Sequence, residues 1–279
     1  MTTKLTPQGF SAWSQYIHGI CSIELDSSKS YLIETRLKGL LQQTAATSYE
    51  DLLHRVRGDV TRKLEQQVID AITTNETSFF RDSAPFELLR HKLLPELVDR
   101  RRQSGMRRVP IRIWSAACST GQEVYSTAIV LKELLGNVGD YDIRILATDI
   151  SDQAIGQASR GLFSPHEISR GLDPSLINRH FVAEGDKWKI RDELRAMATF
   201  RTLNLFQPFS FPTPFDIIFC RNVAIYFNES DRIQLFRNLG RFLARDGALI
   251  IGSTESITGL CPEFKPQRYH RSVFYLQEK

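Results

Sequence analysis

A chain of 279 residues with 42% hydrophobic, 24% charged and 10% aromatic side chains has ordinary globular make-up, which excludes collagen, coiled coil and wholesale disorder. Lysine and arginine number 36 against 32 aspartate and glutamate, and a net charge of +4 is too small to make nucleic acid the default partner. Residues 1–80 carry 8 basic and 9 acidic groups, residues 81–110 carry 8 and 4, and residues 111–279 carry 20 and 19, so the excess is confined to the middle segment.

The opening Met1-Thr-Thr-Lys-Leu-Thr-Pro-Gln-Gly-Phe10 lacks an apolar core of signal-peptide length. No stretch approaches the roughly 18 apolar residues that cross a bilayer, so a cytoplasmic protein without membrane insertion is expected. Cys21, Cys118, Cys220 and Cys261 form no CxxC pair and have no histidine at ligand spacing. That is the pattern of reduced thiols, not of a disulfide framework or a metal site.

The first 75 residues read as a bundle of short helices. Phe10–Ile17 and Tyr31–Leu41 repeat apolar residues at helical spacing, with Leu37, Leu40 and Leu41 on one side of the second. Ser48-Tyr-Glu-Asp51 has the form of a capping box leading into Leu52–Val56. A further helix from about Thr61 to Thr73 would bury Leu64, Val68, Ile69 and Ile72. Residues 76–110 then read as a linker and the first helix of a second domain.

From Ile111 the texture becomes α/β and continues to residue 279. Ile111–Trp114 is a short strand, followed by the small-residue turn Ser115-Ala-Ala-Cys-Ser-Thr-Gly-Gln-Glu123. A helix from Val124 to Leu135 ends at Gly136. Tyr141–Ala147 is the next strand, and Ser151 is placed to cap the helix after it. This βαβ unit predicts parallel strands and a right-handed crossover. Phe215–Cys220 is a buried strand, Glu229–Ala244 a helix, Asp246-Gly247 a turn into Ala248–Gly252, and Ser272–Leu276 a closing strand. Trp188–Arg191 and Thr199–Thr202 interrupt the alternation and read as a small antiparallel insert at about residues 180–203. An open, doubly wound, Rossmann-like sheet fits best.

Ligands of such sheets bind at the carboxyl ends of the strands, which directs attention to the turn after the first strand. Its small residues let the backbone approach a ligand, yet it lacks the GxGxxG pyrophosphate fingerprint and carries Glu123 where phosphates would lie. A carboxylate there suits an ammonium or sulfonium group, which points away from NAD and toward S-adenosylmethionine (SAM). Asp149, at the end of the second strand, is placed either to accept from ribose hydroxyls or to cap the next helix. Asn204-Leu205 could present amide and backbone groups to adenine.

Two segments are unusual for scaffold: Thr73-Thr-Asn-Glu-Thr-Ser-Phe-Phe-Arg-Asp82, and Arg221-Asn222 just past a strand end with Tyr226 four residues beyond Asn222. With Trp114–Ser126 and Ala147-Thr-Asp-Ile150 they closely resemble the CheR family of chemotaxis-receptor glutamate methyltransferases, over nearly the whole chain. The resemblance implies a small all-α domain followed by a SAM-dependent methyltransferase domain with a small antiparallel β-subdomain. It implies cofactor contacts at Asn75, Thr77, Arg81, Glu123, Asp149, Asn204, Leu205, Arg221 and Asn222. Arg81 and Tyr226 match the positions that orient the substrate carboxylate. It further implies methyl transfer to receptor glutamates for sensory adaptation, giving methyl esters and S-adenosylhomocysteine, without a metal. The partner is then the cytoplasmic helical region of chemoreceptors, with no nucleic acid.

Two departures bear on docking. The family's second helix often carries a dense row of arginines, whereas this one has only Lys29, Arg36 and Lys38, with Glu34 among them. The loop Val182-Ala-Glu-Gly-Asp-Lys-Trp188 is short, which predicts no tether to a receptor's C-terminal pentapeptide. Alternatives are an RNA methyltransferase gripping phosphate with Arg100–Arg102, Arg107 and Arg108, and a non-catalytic SAM-binding adaptor.

Overall fold

The computed structural model describes residues 4–278, so Met1–Thr3 of the opening segment lie outside the described residues. The chain begins with four helices, α1 (Pro7–Cys21), α2 (Ser30–Gln43), α3 (Tyr49–Gly58) and α4 (Lys63–Ile72). Their apolar faces meet in one core in which Trp13, Ile17, Ile33, Leu37, Leu52 and Val68 are fully buried. Thr6 caps α1 by accepting from the Gly9 N–H, as the periodic pattern and its polar edge require. At α3 the capping box is only half made: Ser48 accepts from the Asp51 N–H, but the Asp51 carboxylate turns back to the Thr47 N–H (2.8 Å). Arg55, one helical turn on, holds that carboxylate there.

Helices α5 (Ala84–Leu88) and α6 (Leu94–Gln103) run together through a π-helical turn, Leu89–Leu93, and lead into strand β1 (Val109–Ala116). Then come α7 (Gln122–Leu135), β2 (Tyr141–Asp149), α8 (Asp152–Arg160) and β3 (Leu162–Phe163). Two short helices, α9 (Pro165–Ser169) and α10 (Pro174–His180), precede the hairpin β4 (Phe181–Glu184) and β5 (Lys187–Ile190). The chain continues through α11 (Asp192–Arg195), β6 (Ala198–Thr202), β7 (Phe215–Cys220), α12 (Glu229–Gly240), β8 (Leu243–Ile251), β9 (Phe264–Tyr269) and β10 (Ser272–Gln277).

Seven strands form one sheet in the order β6-β2-β1-β7-β8-β10-β9, parallel from β6 to β8, with β10 antiparallel to both of its neighbours. β1 and β2 pair in register from Val109 opposite Tyr141 to Ala116 opposite Thr148. Helices cover both faces, so the central strand β7 is buried at every position and reads as a continuous apolar run around Asp216. The strand order reverses between β1 and β7, and the crevice at their carboxyl ends is where this architecture takes ligands.

Three expectations are corrected. Thr199–Thr202 is not part of an antiparallel insert: β6 extends the main sheet, parallel to β2, with Ile145 opposite Ala198 and Asp149 opposite Thr202. The separate small sheet has the order β3-β5-β4. As an edge strand β6 keeps one polar border, which gives it the look of an isolated ribbon. The helix expected to reach Ala244 ends at Gly240, and Asp246-Gly247 lies within β8. There the register steps from Leu243 opposite Phe215 to Ala248 opposite Ile217, so the extra residues bulge out of the ladder. β9, unforeseen from its sequence, is polar and contains Pro266, which suits the outer edge it occupies.

The basic segment is largely consumed by the fold. Arg101 clasps buried Asp216 and the Pro110 carbonyl, Arg102 donates to the Tyr141 hydroxyl (2.8 Å), and Arg108 to the Tyr141 carbonyl (3.3 Å). Arg100 pairs with exposed Asp246 at 3.1 Å. Pro110, Tyr141 and Asp216 stand at the amino ends of their strands, the edge opposite the crevice. Of the surface imagined as a phosphate grip, Arg101, Arg102 and Arg108 are struts under the sheet. No helix among the described residues is long and apolar enough to cross a membrane.

Candidate active site

β1 ends at Ala116, and the turn after it holds Ala117 (φ 61°), Ser119 (φ 52°) and Gly121 (φ 96°) in the left-handed region. Gly121 starts α7 so close to α8 that a Cβ on it would lie 2.9 Å from the Ala158 Cβ, so only glycine fits. This turn aims the Ser119 N–H at Asp149 Oδ2 (2.8 Å), while the Ser151 N–H reaches Oδ1 (3.0 Å). Asp149 is buried and, among the described residues, has no cation against it. Burial therefore pushes its carboxyl above the usual aspartate range despite those backbone donors. The cap of α8 is Ser151, not Asp149.

Glu123, in the first turn of α7, accepts from Ser115 Oγ at 2.7 Å and from Arg221 Nη1 at 3.1 Å. Arg221 stands directly after β7 with its side chain buried. Its Nη2 donates to the Arg81 carbonyl (2.7 Å) and Asp82 Oδ2 (3.0 Å), its guanidinium lies 5.8 Å from the Phe86 ring centre, and among the described residues its Nε has no partner. Arg221 thus neutralises Glu123 and fixes the segment that carries Arg81. Among the described residues Asp149 is a buried carboxylate of the cavity with no counter-cation.

The Thr73–Asp82 segment is held from three sides. Arg36 of α2 donates to the Thr73 carbonyl at 3.0 Å, Ser119 Oγ donates to the Asn75 carbonyl at 3.0 Å, and the Phe80 N–H donates to Ser126 Oγ at 2.9 Å. Phe79 is fully buried, edge-on to Phe163 and Phe181 at 4.9 and 5.6 Å, so it anchors the segment onto the small sheet, while Phe80 packs on Phe86. Arg81 stays half-buried, donating through Nη1 to the Glu76 carbonyl (2.9 Å).

On the far wall, Asn204 donates to the Ile20 carbonyl (2.9 Å) and accepts from the Phe206 N–H (3.0 Å), tying the loop after β6 to the end of α1. Leu205 beside it is buried. Asn222 adopts φ 57°, and its N–H donates to Glu255 Oε2 at 2.8 Å. The Tyr226 carbonyl accepts from the Glu24 N–H at 3.0 Å, while among the described residues its hydroxyl meets no hydrogen-bond partner.

One cavity of about 480 Å³ is lined by Asn75, Thr77, Arg81, Glu123, Asp149, Asn204, Leu205, Arg221, Asn222 and Tyr226 together. Sequence reasoning missed its fourth wall, the link between α1 and α2, from which Cys21, Ile23, Glu24 and Leu25 face the same space. Glu24 and Asp26 on that link stand in no recognisable motif, and only the loss of helical period after Cys21 hints at it. Five acidic side chains line the cavity against three basic ones, a balance suited to a cationic ligand. Its volume is that of a small-molecule site. The residues therefore fit SAM: a buried carboxylate for a ribose diol, small-residue backbone at a helix start, and excess negative charge for a sulfonium.

A nucleoside-sized, acid-rich cavity at the switch point of an open α/β sheet, roofed by a helical bundle, defines a SAM-binding methyltransferase architecture. Residues 75–272 match the family described as CheR methyltransferase, SAM binding domain, and residues 8–73 match CheR methyltransferase, all-alpha domain. The chain belongs to the CheR methyltransferase family. It is 36% identical over 274 residues to the chemotaxis protein methyltransferase of Vibrio anguillarum, covering 97% of both chains. Chemotaxis protein methyltransferase 1 of Vibrio cholerae is likewise 36% identical, over 97% of each chain. Chemotaxis protein methyltransferase 1 of Pseudomonas aeruginosa is 34% identical, over 95% of this chain and 96% of its own.

Proposed function

We propose that this protein methylates glutamate side chains on the cytoplasmic helical region of chemoreceptors, acting in the cytoplasm and leaving glutamyl methyl esters and S-adenosylhomocysteine. The observation that carries this reading is the convergence of Arg81 and Tyr226 on the cavity that also holds Asp149 and Glu123. When bound, SAM supplies an electrophilic methyl group on a sulfonium. A glutamate with a reference pKa of ~4.3 is already an ionised nucleophile at neutral pH, so the protein has no proton to remove. Its task is alignment and partial desolvation of the carboxylate, which can supply on the order of 7–11 kcal/mol.

Arg81 retains Nε and Nη2 for one carboxylate oxygen, because its contact to the Glu76 carbonyl uses only Nη1. The Tyr226 hydroxyl donates to the same carboxylate and leaves the other oxygen free to attack. Asp149 accepts from the ribose hydroxyls, and the Asn204–Leu205 loop, with Asn75 and Thr77 opposite, encloses the nucleoside. Arg221 and Asn222 brace this arrangement through Glu123 and Glu255.

Two features support a spare docking mode. Lys29 is paired with Asp26 (3.1 Å) and Arg36 is spent on the Thr73 carbonyl, which among the described residues leaves Lys38 as the open cation of the three on this stretch. The hairpin β4–β5 turns through only Gly185-Asp186, so we infer no pentapeptide tether, and micromolar binding of a receptor C-terminal pentapeptide in calorimetry would refute that. The activity itself is tested by incubating the protein with SAM and receptor-containing membranes, then sequencing receptor peptides by mass spectrometry. Added methyl groups on glutamate are expected. Methylation of another residue type, or of RNA in the membranes alone, contradicts the reading, and no transfer at all favours a SAM-binding adaptor.

A further inference from the structure

Asp149 is oriented from outside its own domain. Its Oδ1 accepts from the Ser151 N–H at 3.0 Å, and the Ser151 hydroxyl in turn donates to Asp70 Oδ1 at 2.7 Å. Asp70 sits on α4, in the all-α domain, 81 positions away in the chain. The same Asp70 oxygen accepts from the Gln153 N–H at 3.3 Å, in the first turn of α8, and Gln66 Nε2, one turn earlier on α4, donates to the Ile150 carbonyl at 3.0 Å. The three residues after the end of β2, Ile150, Ser151 and Asp152, are therefore clamped from the helical domain at both ends.

We propose that Asp70 is a positioning residue for the cofactor site: through Ser151 it fixes the turn after β2 and so holds the Asp149 carboxylate toward the ribose diol. This rests on the reading that Asp149 receives the ribose. Ser151 has two jobs at once, since its Oγ also accepts from the Ala154 N–H (3.1 Å) as the α8 cap. An acceptor is needed on the far side of that hydroxyl to set its direction, and Asp70 is that acceptor. The placement also concentrates negative charge: Asp70 lies close enough to raise the Asp149 carboxyl further, beyond the effect of burial. A carboxylate so destabilised when empty gains more from two hydroxyl donors than a solvated one would.

The test is a double-mutant cycle on S-adenosylhomocysteine affinity, read by calorimetry with the full chain and paired with the melting temperature of the ligand-free protein. Asp70→Ala is expected to raise the dissociation constant about tenfold, the size of one charge-assisted hydrogen bond, whereas Asp70→Asn, which keeps an acceptor oxygen for Ser151, stays within about threefold. In an Asp149→Ala background, Asp70→Ala should add nothing, because the residue it acts through is gone. An analogue lacking both ribose hydroxyls should bind wild type and Asp70→Ala equally. Additive losses in the cycle, or an equal loss for the dihydroxyl-free analogue, overturn the positioning role and leave Asp70 as a domain fastener. Unchanged affinity in Asp149→Ala alone overturns the ribose reading instead, so the two failures are distinguishable. If Asp70→Ala lowers the melting temperature but Asp70→Asn restores stability and not affinity, the positioning role is likewise contradicted.

Discussion

At the residue scale the cavity is organised by how two carboxylates are treated. Glu123 is neutralised by Arg221, and Asp149 is buried with backbone donors alone. Because burial raises the folded pKa of Asp149 above its unfolded value, the fold binds its proton more tightly than the unfolded chain does. The ionised group therefore costs stability once pH exceeds the ordinary aspartate range, and that cost is relieved as pH falls. Cofactor binding runs the other way, since only the ionised form offers both oxygens as acceptors to the two ribose hydroxyls. Asp149→Asn is expected to weaken S-adenosylhomocysteine binding by roughly tenfold or more at pH 7. The wild-type affinity should decline, on acidification, at a higher pH than a solvated aspartate would impose. Arg81→Ala should abolish transfer, and Tyr226→Phe should lower turnover with little change in cofactor affinity; unchanged turnover in both would remove them from the site. The types of these residues could be read from the sequence because chemistry is written in side-chain identity. The pairing of Glu123 with Arg221 could not, because the two stand 98 positions apart.

At the scale of elements, each strand with a strong apolar run was legible, and the misreadings fall at polar borders. β6 and β9 lie at the two edges of the sheet, where one side needs no apolar partner, and β8 conceals its continuity behind the Asp246-Gly247 bulge. The basic run shows the same limit. Charge counting located the excess but could not separate struts from surface. Arg101 and buried Asp216 join the end of α6 to the amino ends of β1 and β7. Removing one partner leaves an uncompensated charge, so Arg101→Ala should destabilise the protein by about 3–5 kcal/mol in urea unfolding. Arg100→Ala, which breaks an exposed pair with Asp246, should stay within about 0.5 kcal/mol. Equal effects of the two substitutions would contradict the distinction.

For the whole molecule, the helical domain is part of the cavity and not a separate appendage. The link after α1 forms one wall, Arg36 holds the start of the Thr73–Asp82 segment, and Asn204 reaches the Ile20 carbonyl. An all-α part followed by an α/β part was legible from the change of texture along the chain; how they engage was not, because backbone carbonyls such as Ile20 and Thr73 leave no trace in composition. Arg100–Arg102, Arg107 and Arg108 do not line the cavity, and that makes a further prediction. Arg100→Gln with Arg107→Gln should leave the salt dependence of methylation unchanged, and a flattened dependence would show instead that this surface steers the receptor. The central claim, that the cavity aligns a carboxylate for methyl transfer, is tested most directly by supplying methyl-labelled SAM with receptor membranes and treating the product with alkali. The account predicts label released as volatile methanol by wild type and none by Arg81→Ala; label that stays in alkali-stable product would contradict it.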